Sequence, residues 1–98
     1  MLGSRISELR VALNWTQVDL AKRLRVVKQT VSNWENENIQ PSIEMLIRLS
    51  KLFNVTTDYL LGLEDVPRIS IDGLPDTVVA HICLLIDDYR QTRQNGNI

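Results

Sequence analysis

One cysteine in 98 residues, Cys83, has no partner for an internal disulfide, so a packed core must hold the fold and a reducing cytoplasm is the expected setting. No apolar run approaches the ~18 residues that a membrane span requires. The opening MLGSRISELR also lacks the apolar stretch of a secretory leader. Charge of one sign is missing too: 11 Lys and Arg stand against 12 Asp and Glu, for a net charge of −1. Bulk charge therefore gives no reason to invoke nucleic acid, and any such reading has to come from a local pattern. There is no Gly-rich phosphate loop. The single histidine, His81, lies in an otherwise apolar stretch, which argues against a Ser, His and acid catalytic set and against an enzyme. His81 and Cys83 would point about 200° apart on a helix and no second pair accompanies them, so neither a metal site nor a cofactor is expected.

Strand signals, internal repeats and low-complexity segments are nearly absent as well, and what remains is helical periodicity. Apolar residues recur at spacings of three and four through the first two thirds of the chain. The content, 44% apolar in 98 residues, suits one folded domain with an appendage. Ser4 as N-cap followed by Ile6, Leu9, Val11 and Leu13 predicts a first helix from about Arg5 to Leu13, ended by Asn14 and Trp15. Thr16, with Asp19 three residues on, predicts the cap of a second helix that carries Val18, Leu20, Ala21 and Leu24 and stops near Arg25. A third helix is expected from Lys28 to Asn36, bounded by Asn38 and Pro41. Pro41-Ser42 opens a fourth, to Phe53, with Ile43, Leu46, Leu49 and Phe53 on one side. Thr56 caps a short fifth, DYLL, and Gly62 is placed to end it.

The stretch LEDVPRISIDG, Leu63 to Gly73, breaks this rhythm, so the expected organisation is a domain over 1–63, a linker over 64–74 and a C-terminal helix from 75 in a segment reaching 98. Val78, Val79, Ile82, Leu85, Ile86 and Tyr89 form an apolar stripe on that last helix. The polar residues after Arg93 are expected to fray.

The informative local pattern lies between Leu20 and Trp34, which encloses four basic residues, Lys22, Arg23, Arg25 and Lys28, and no acid. On a helix, Val31 and Trp34 share one side while Lys28, Gln29, Ser32, Asn33 and Asn36 share the other. An ordinary solvated face carries Glu and Lys pairs. This one carries amides, a hydroxyl and one cation, the groups that read base edges in a major groove: Gln and Asn on adenine, Lys on guanine, Ser on either. Lys22, Arg23 and Arg25 are candidate phosphate contacts, as are the first amides of helix 2 near Gln17. Two short helices joined by about three residues, the second polar outward, make a helix-turn-helix arrangement, and Ala21 supplies the small residue wanted where the two backbones cross.

The motifs T-Q-x-x-L-A-x-x-L, x-Q-T-V-S-N-W-E, P-S and D-Y-L-L-G resemble those of the Cro and phage-repressor type of helix-turn-helix regulators, often called XRE-like, over about Arg5 to Leu63. The resemblance implies an all-α, five-helix lambda-repressor-like domain that binds duplex DNA. It implies phosphate contacts from Gln17 and Asn36, base contacts from Lys28, Gln29, Ser32 and Asn33, and a structural ion pair between Arg10 and Glu35. Three positions depart from the pattern. Arg25 stands where the turn usually has Gly, Val27 where helix 3 usually has a Ser or Thr cap, and Glu37 where a Gly usually follows helix 3. A forced positive φ and a missing cap each cost on the order of 1 kcal/mol, so a shifted turn or a modest loss of stability is expected.

The last helix has two readings: its stripe packs on its own domain, or it pairs with the stripe of a second copy. The resemblance favours pairing, since related regulators commonly place a dimerisation segment there. A two-fold dimer would present two reading helices about 34 Å apart and require a pseudo-palindromic operator. The expected function is a dimeric repressor of bacterial or phage origin acting by promoter occupancy. Length alone suggests that any inducing signal arrives through a partner protein, degradation or the regulator's own concentration. Two other readings stay open: an antitoxin whose tail binds a toxin, and a protein-interaction module without DNA binding.

Overall fold

The computed structural model describes residues 1–94; the frayed tail expected after Arg93 falls, beyond Gln94, outside them. Among the described residues the chain forms six α-helices and no strand: α1 Leu2–Ala12, α2 Gln17–Leu24, α3 Lys28–Glu35, α4 Ile43–Phe53, α5 Thr57–Leu60 and α6 Asp76–Gln94. Three of the starts are set locally. The Thr16 hydroxyl accepts from the Asp19 amide at 3.0 Å, and the Asp19 carboxylate accepts from the Thr16 amide at 2.8 Å, a full capping box at α2. Ser42 Oγ accepts from the Met45 amide at 3.1 Å and Thr56 Oγ1 from the Tyr59 amide at 3.0 Å, capping α4 and α5.

The ends of α1 to α5 share one device. Asn14, Arg25, Glu37, Asn54 and Gly62 all have positive φ, between 54° and 80°. The residue after each donates its amide to the carbonyl five positions back: Trp15 to Arg10, Val26 to Ala21, Asn38 to Asn33, Val55 to Ser50 and Leu63 to Asp58, at 2.8 to 3.1 Å. This closure satisfies carbonyls that a helix end leaves orphaned, and it needs the left-handed conformation. Gly62 adopts it without strain, and Asn14 and Asn54 tolerate it. Arg25 (φ 58°) and Glu37 (φ 62°) do not. The turn at Arg25 is therefore not shifted: the chain keeps the regular geometry and carries the strain.

The core is one cluster, Leu2, Ile6, Leu20, Ala21, Leu24, Val31, Trp34, Leu49 and Leu60, flanked by Leu9, Trp15, Leu46 and Phe53 among others. Burying each large member contributes about 1.5–3 kcal/mol. Ala21 is buried on α2, which packs against α3.

Two sequence expectations, both at the start of α1, need correction. Helix α1 begins at Leu2 rather than Arg5, and Ser4 is exposed inside its first turn, not a cap. The cap comes from elsewhere: the Glu37 carboxylate accepts from the Gly3 amide at 3.0 Å. A side chain on Gly3 would overlap the Trp34 carbonyl oxygen, so glycine is what lets the start of α1 abut the end of α3. Val11, Leu13 and Val18 are exposed, and Ile43 is 79% exposed at the first position of α4, where the helix has not yet turned toward the core.

After α5 the chain runs without helix or strand to Pro75, with a turn at Asp72 and Gly73. It is tied back once, where the Asn54 side-chain amide and the Ser70 backbone exchange two hydrogen bonds at 3.4 Å. Of the stripe on α6, Val79 and Ile82 are half-buried, while Val78, Leu85, Ile86 and Tyr89 are exposed, Leu85 by 70%.

Candidate nucleic-acid interface

Helix α3 is seated by Val31 and Trp34, both buried. This fixes the outward direction of the opposite face: Lys28, Gln29 and Asn36 are exposed, and Ser32 and Asn33 half-buried. The amides on this face are already paired. Gln29 Nε2 donates to Asn33 Oδ1 at 3.0 Å, and Asn36 Nδ2 donates to Ser32 Oγ at 3.3 Å. Each amide keeps donor or acceptor capacity that these bonds do not use. No side chain caps α3: Val27 holds the cap position in an extended conformation and is exposed. The first amides of this helix stay open toward whatever lies against it.

The basic residues divide into two sets. Lys22, Arg25 and Lys28, around the turn between α2 and α3, are exposed, and no salt bridge to them is found among the described residues. Arg23 lies with its guanidinium 4.1 Å above the Trp15 ring, which in turn stacks on Phe53 at 6.0 Å between centroids. A cation held over an aromatic face keeps its in-plane donors available. Arg23 is thus held over Trp15, while Lys22 and Arg25 precede α3 and Lys28 begins it. Other arginines are structural. Arg48 donates to the Leu24 carbonyl at 2.7 Å and Arg5 covers the Tyr59 ring at 3.9 Å.

The Arg10 and Glu35 pair is present and bidentate, with Nε to Oε2 at 2.7 Å and Nη2 to Oε1 at 3.0 Å. The two side chains are 14% and 6% exposed, so the pair is nearly dry. Hydrogen bonding to Glu35 is the largest influence holding the Arg10 pKa above its ordinary value. Arg10 also donates from Nη1 to the Trp15 carbonyl at 2.7 Å. Gln17 is half-buried and donates from Nε2 to Glu35 Oε1 at 3.0 Å. At the start of α2, the Thr16 backbone amide is the first cause, and its side chain the second, of a lowered Asp19 pKa.

Sequence reasoning missed two features here. The cap that Glu37 gives to α1 spans 34 positions, and no local spacing announces such a contact. The Gln17 to Glu35 bond was hidden behind the outward role that the motif suggests for Gln17. On α6, His81 and Cys83 are exposed. No group of three His, Cys, Asp or Glu residues is placed to hold a metal among the described residues.

A family model described as Helix-turn-helix matches residues 6–60. Over 67 residues the chain is 39% identical to the HTH-type transcriptional regulator ImmR of Bacillus subtilis (strain 168), covering 68% of this chain and 53% of that protein. It is 39% identical over 63 residues to the HTH-type transcriptional activator BcrR of Enterococcus faecalis, covering 64% of this chain and 31% of BcrR. It is 36% identical over 61 residues to the repressor protein C2 of Salmonella phage P22, covering 62% of this chain and 28% of C2. The match to ImmR thus spans about half of that relative's length, and the other two matches less than a third of theirs.

Proposed function

The chain belongs to the helix-turn-helix family of transcriptional regulators, of the Cro and phage-repressor type, and on that premise we propose that it is a dimeric, sequence-specific repressor that acts by occupying a promoter. The observation that carries this reading is the outward face of α3, where Gln29 and Asn33 are linked at 3.0 Å beside exposed Lys28 and half-buried Ser32. Seated by Val31 and Trp34, these four side chains reach base edges when α3 lies in a major groove. Gln17, Asn36 and the cations Lys22, Arg23 and Arg25 flank them as phosphate contacts, Arg23 with its guanidinium over the Trp15 ring. Lysine and arginine there supply affinity without sequence preference, and the amides supply discrimination.

The dimer is formed through α6. Val78, Leu85, Ile86 and Tyr89 leave apolar surface open on a helix that no core requires, and a second copy of the same stripe would cover it. A two-fold pair brings two reading helices to one face of the duplex, so the operator is an inverted repeat. Among the relatives, one is named a repressor and one an activator, and repression is preferred here because a protein bound across a promoter blocks polymerase by occupancy alone. Selection of duplexes from a random pool at near-physiological salt tests this: an enriched inverted repeat with half-sites about ten base pairs apart is expected. Recovery of nothing above background would overturn it.

A further inference from the structure

We propose that Glu35 is a positioning residue for a backbone phosphate contact made by Gln17, a role that rests on the DNA-binding reading above. One carboxylate oxygen, Glu35 Oε1, accepts from both Arg10 Nη2 and Gln17 Nε2 at 3.0 Å, while Oε2 accepts from Arg10 Nε at 2.7 Å. A carboxylate has no hydrogen to give, so only the NH₂ end of the Gln17 amide can face it. The bond therefore fixes an amide that water would leave free to flip. One of the two Nε2 hydrogens is used; the second points away from Glu35 and is left for a phosphate oxygen.

A bare carboxylate at this place would repel the phosphate. The bidentate Arg10 guanidinium cancels that charge, so the hub orients Gln17 without driving DNA away. The same guanidinium holds the Trp15 carbonyl at 2.7 Å, which anchors the chain two residues before Gln17. The first turn of α2, with amides that its helix leaves unpaired, is thereby fixed against the end of α3. Base contacts and phosphate contacts are set in register by one part-buried group of side chains.

A double-mutant cycle read in DNA affinity tests this with the full chain, on a duplex selected from the random pool and on a scrambled one. Gln17→Ala is measured in the native background and in Arg10→Met with Glu35→Leu, an apolar exchange that leaves neither charge buried alone. In the native background the change is expected to weaken both duplexes by about tenfold. In the apolar background, where nothing orients Gln17, the loss should fall below about twofold. Equal losses in the two backgrounds, or no loss in the native one, overturn the role. Should the apolar pair fail to fold, the Gln17 side-chain amide of the native protein decides. Two well-separated, slowly exchanging proton resonances are expected, and resonances like those of exposed Gln40 overturn it. A native chain that retains no duplex overturns the DNA reading and this role with it, whereas loss of coupling alone removes only the role of Glu35.

Discussion

Helices α1 to α5 and helix α6 are built from similar fractions of apolar residues and are stabilised in opposite ways. In the first five, Ile6, Leu20, Val31, Leu49 and Leu60 are fully buried in one cluster, and each helix end is closed by a left-handed residue. In α6 no residue is fully buried among those described, and the longest helix of the chain carries its apolar stripe largely in the open. Periodicity alone would rank α6 with the others. The difference is that a short helix such as α2 or α3 exists only by tertiary packing, whereas 19 residues can form turns without it. In the proposed dimer, such a helix gives its apolar face to a second copy.

Single substitutions sharpen this contrast, and the largest effects belong to the domain. Removing one partner of the dry ion pair, by Arg10→Met or Glu35→Leu alone, is expected to cost about 3–5 kcal/mol by leaving the other charge unpaired. Urea unfolding of either variant checks this, and a change below 1 kcal/mol would mean that water reaches the survivor. Gly3→Ala should cost about 1–3 kcal/mol, because the new methyl meets the Trp34 carbonyl and the backbone must shift. Thermal melting that leaves this variant level with the native chain would refute the close approach. In the opposite direction, Arg25→Gly should stabilise by about 1 kcal/mol through release of the left-handed strain; a melting temperature unchanged or lowered would dispose of the strain argument.

Smaller still is the effect of acid on the α2 cap. The Asp19 pKa is lowered from 3.8 by the Thr16 backbone amide and hydroxyl. Its contribution is therefore present above that ordinary value and is lost as pH falls through the lower folded one. Native and Asp19→Asn melting curves should differ at neutral pH and converge in acid; a gap that persists at the lowest pH contradicts the assignment. On α6 the expected effect on domain stability is the smallest for exposed Ile86→Asp, within about 0.5 kcal/mol, and larger for half-buried Ile82→Asp, which also loses burial. Their effect is on assembly: sedimentation should find a folded monomer with weak operator binding, and a dimer that survives both changes rules out α6 as the interface.

What the sequence made legible follows the reach of the interactions. The starts of α2, α4 and α5 rest on Thr16, Ser42 and Thr56 bonding three residues ahead, so local spacing located them. The strained turn at Arg25 was signalled only by the resemblance, which places a Gly there; of the two outcomes expected, a shifted turn did not occur, and Arg25 adopts φ 58° in the regular closure. The start of α1 was misplaced because its cap is Glu37, brought there by the fold, while Ser4 imitates a local cap. Ile43 shares the period of Leu46, Leu49 and Phe53, yet its place at the first turn of α4 leaves it exposed. At the reading face, the amide-rich character of α3 was evident from residue type. The bond from Gln17 to Glu35 was not, since it depends on how α2 docks on α3.

In the proposed function the paired amides of Gln29 and Asn33 read bases. The most direct measurement is the ratio of affinities for a selected duplex and a scrambled duplex at fixed salt, for the native chain and for Gln29→Ala with Asn33→Ala. The native ratio should reach about 10³ or more, and the double variant should bind both duplexes with the same weak affinity. A double variant that keeps its preference, or a native chain that shows none, would contradict the account.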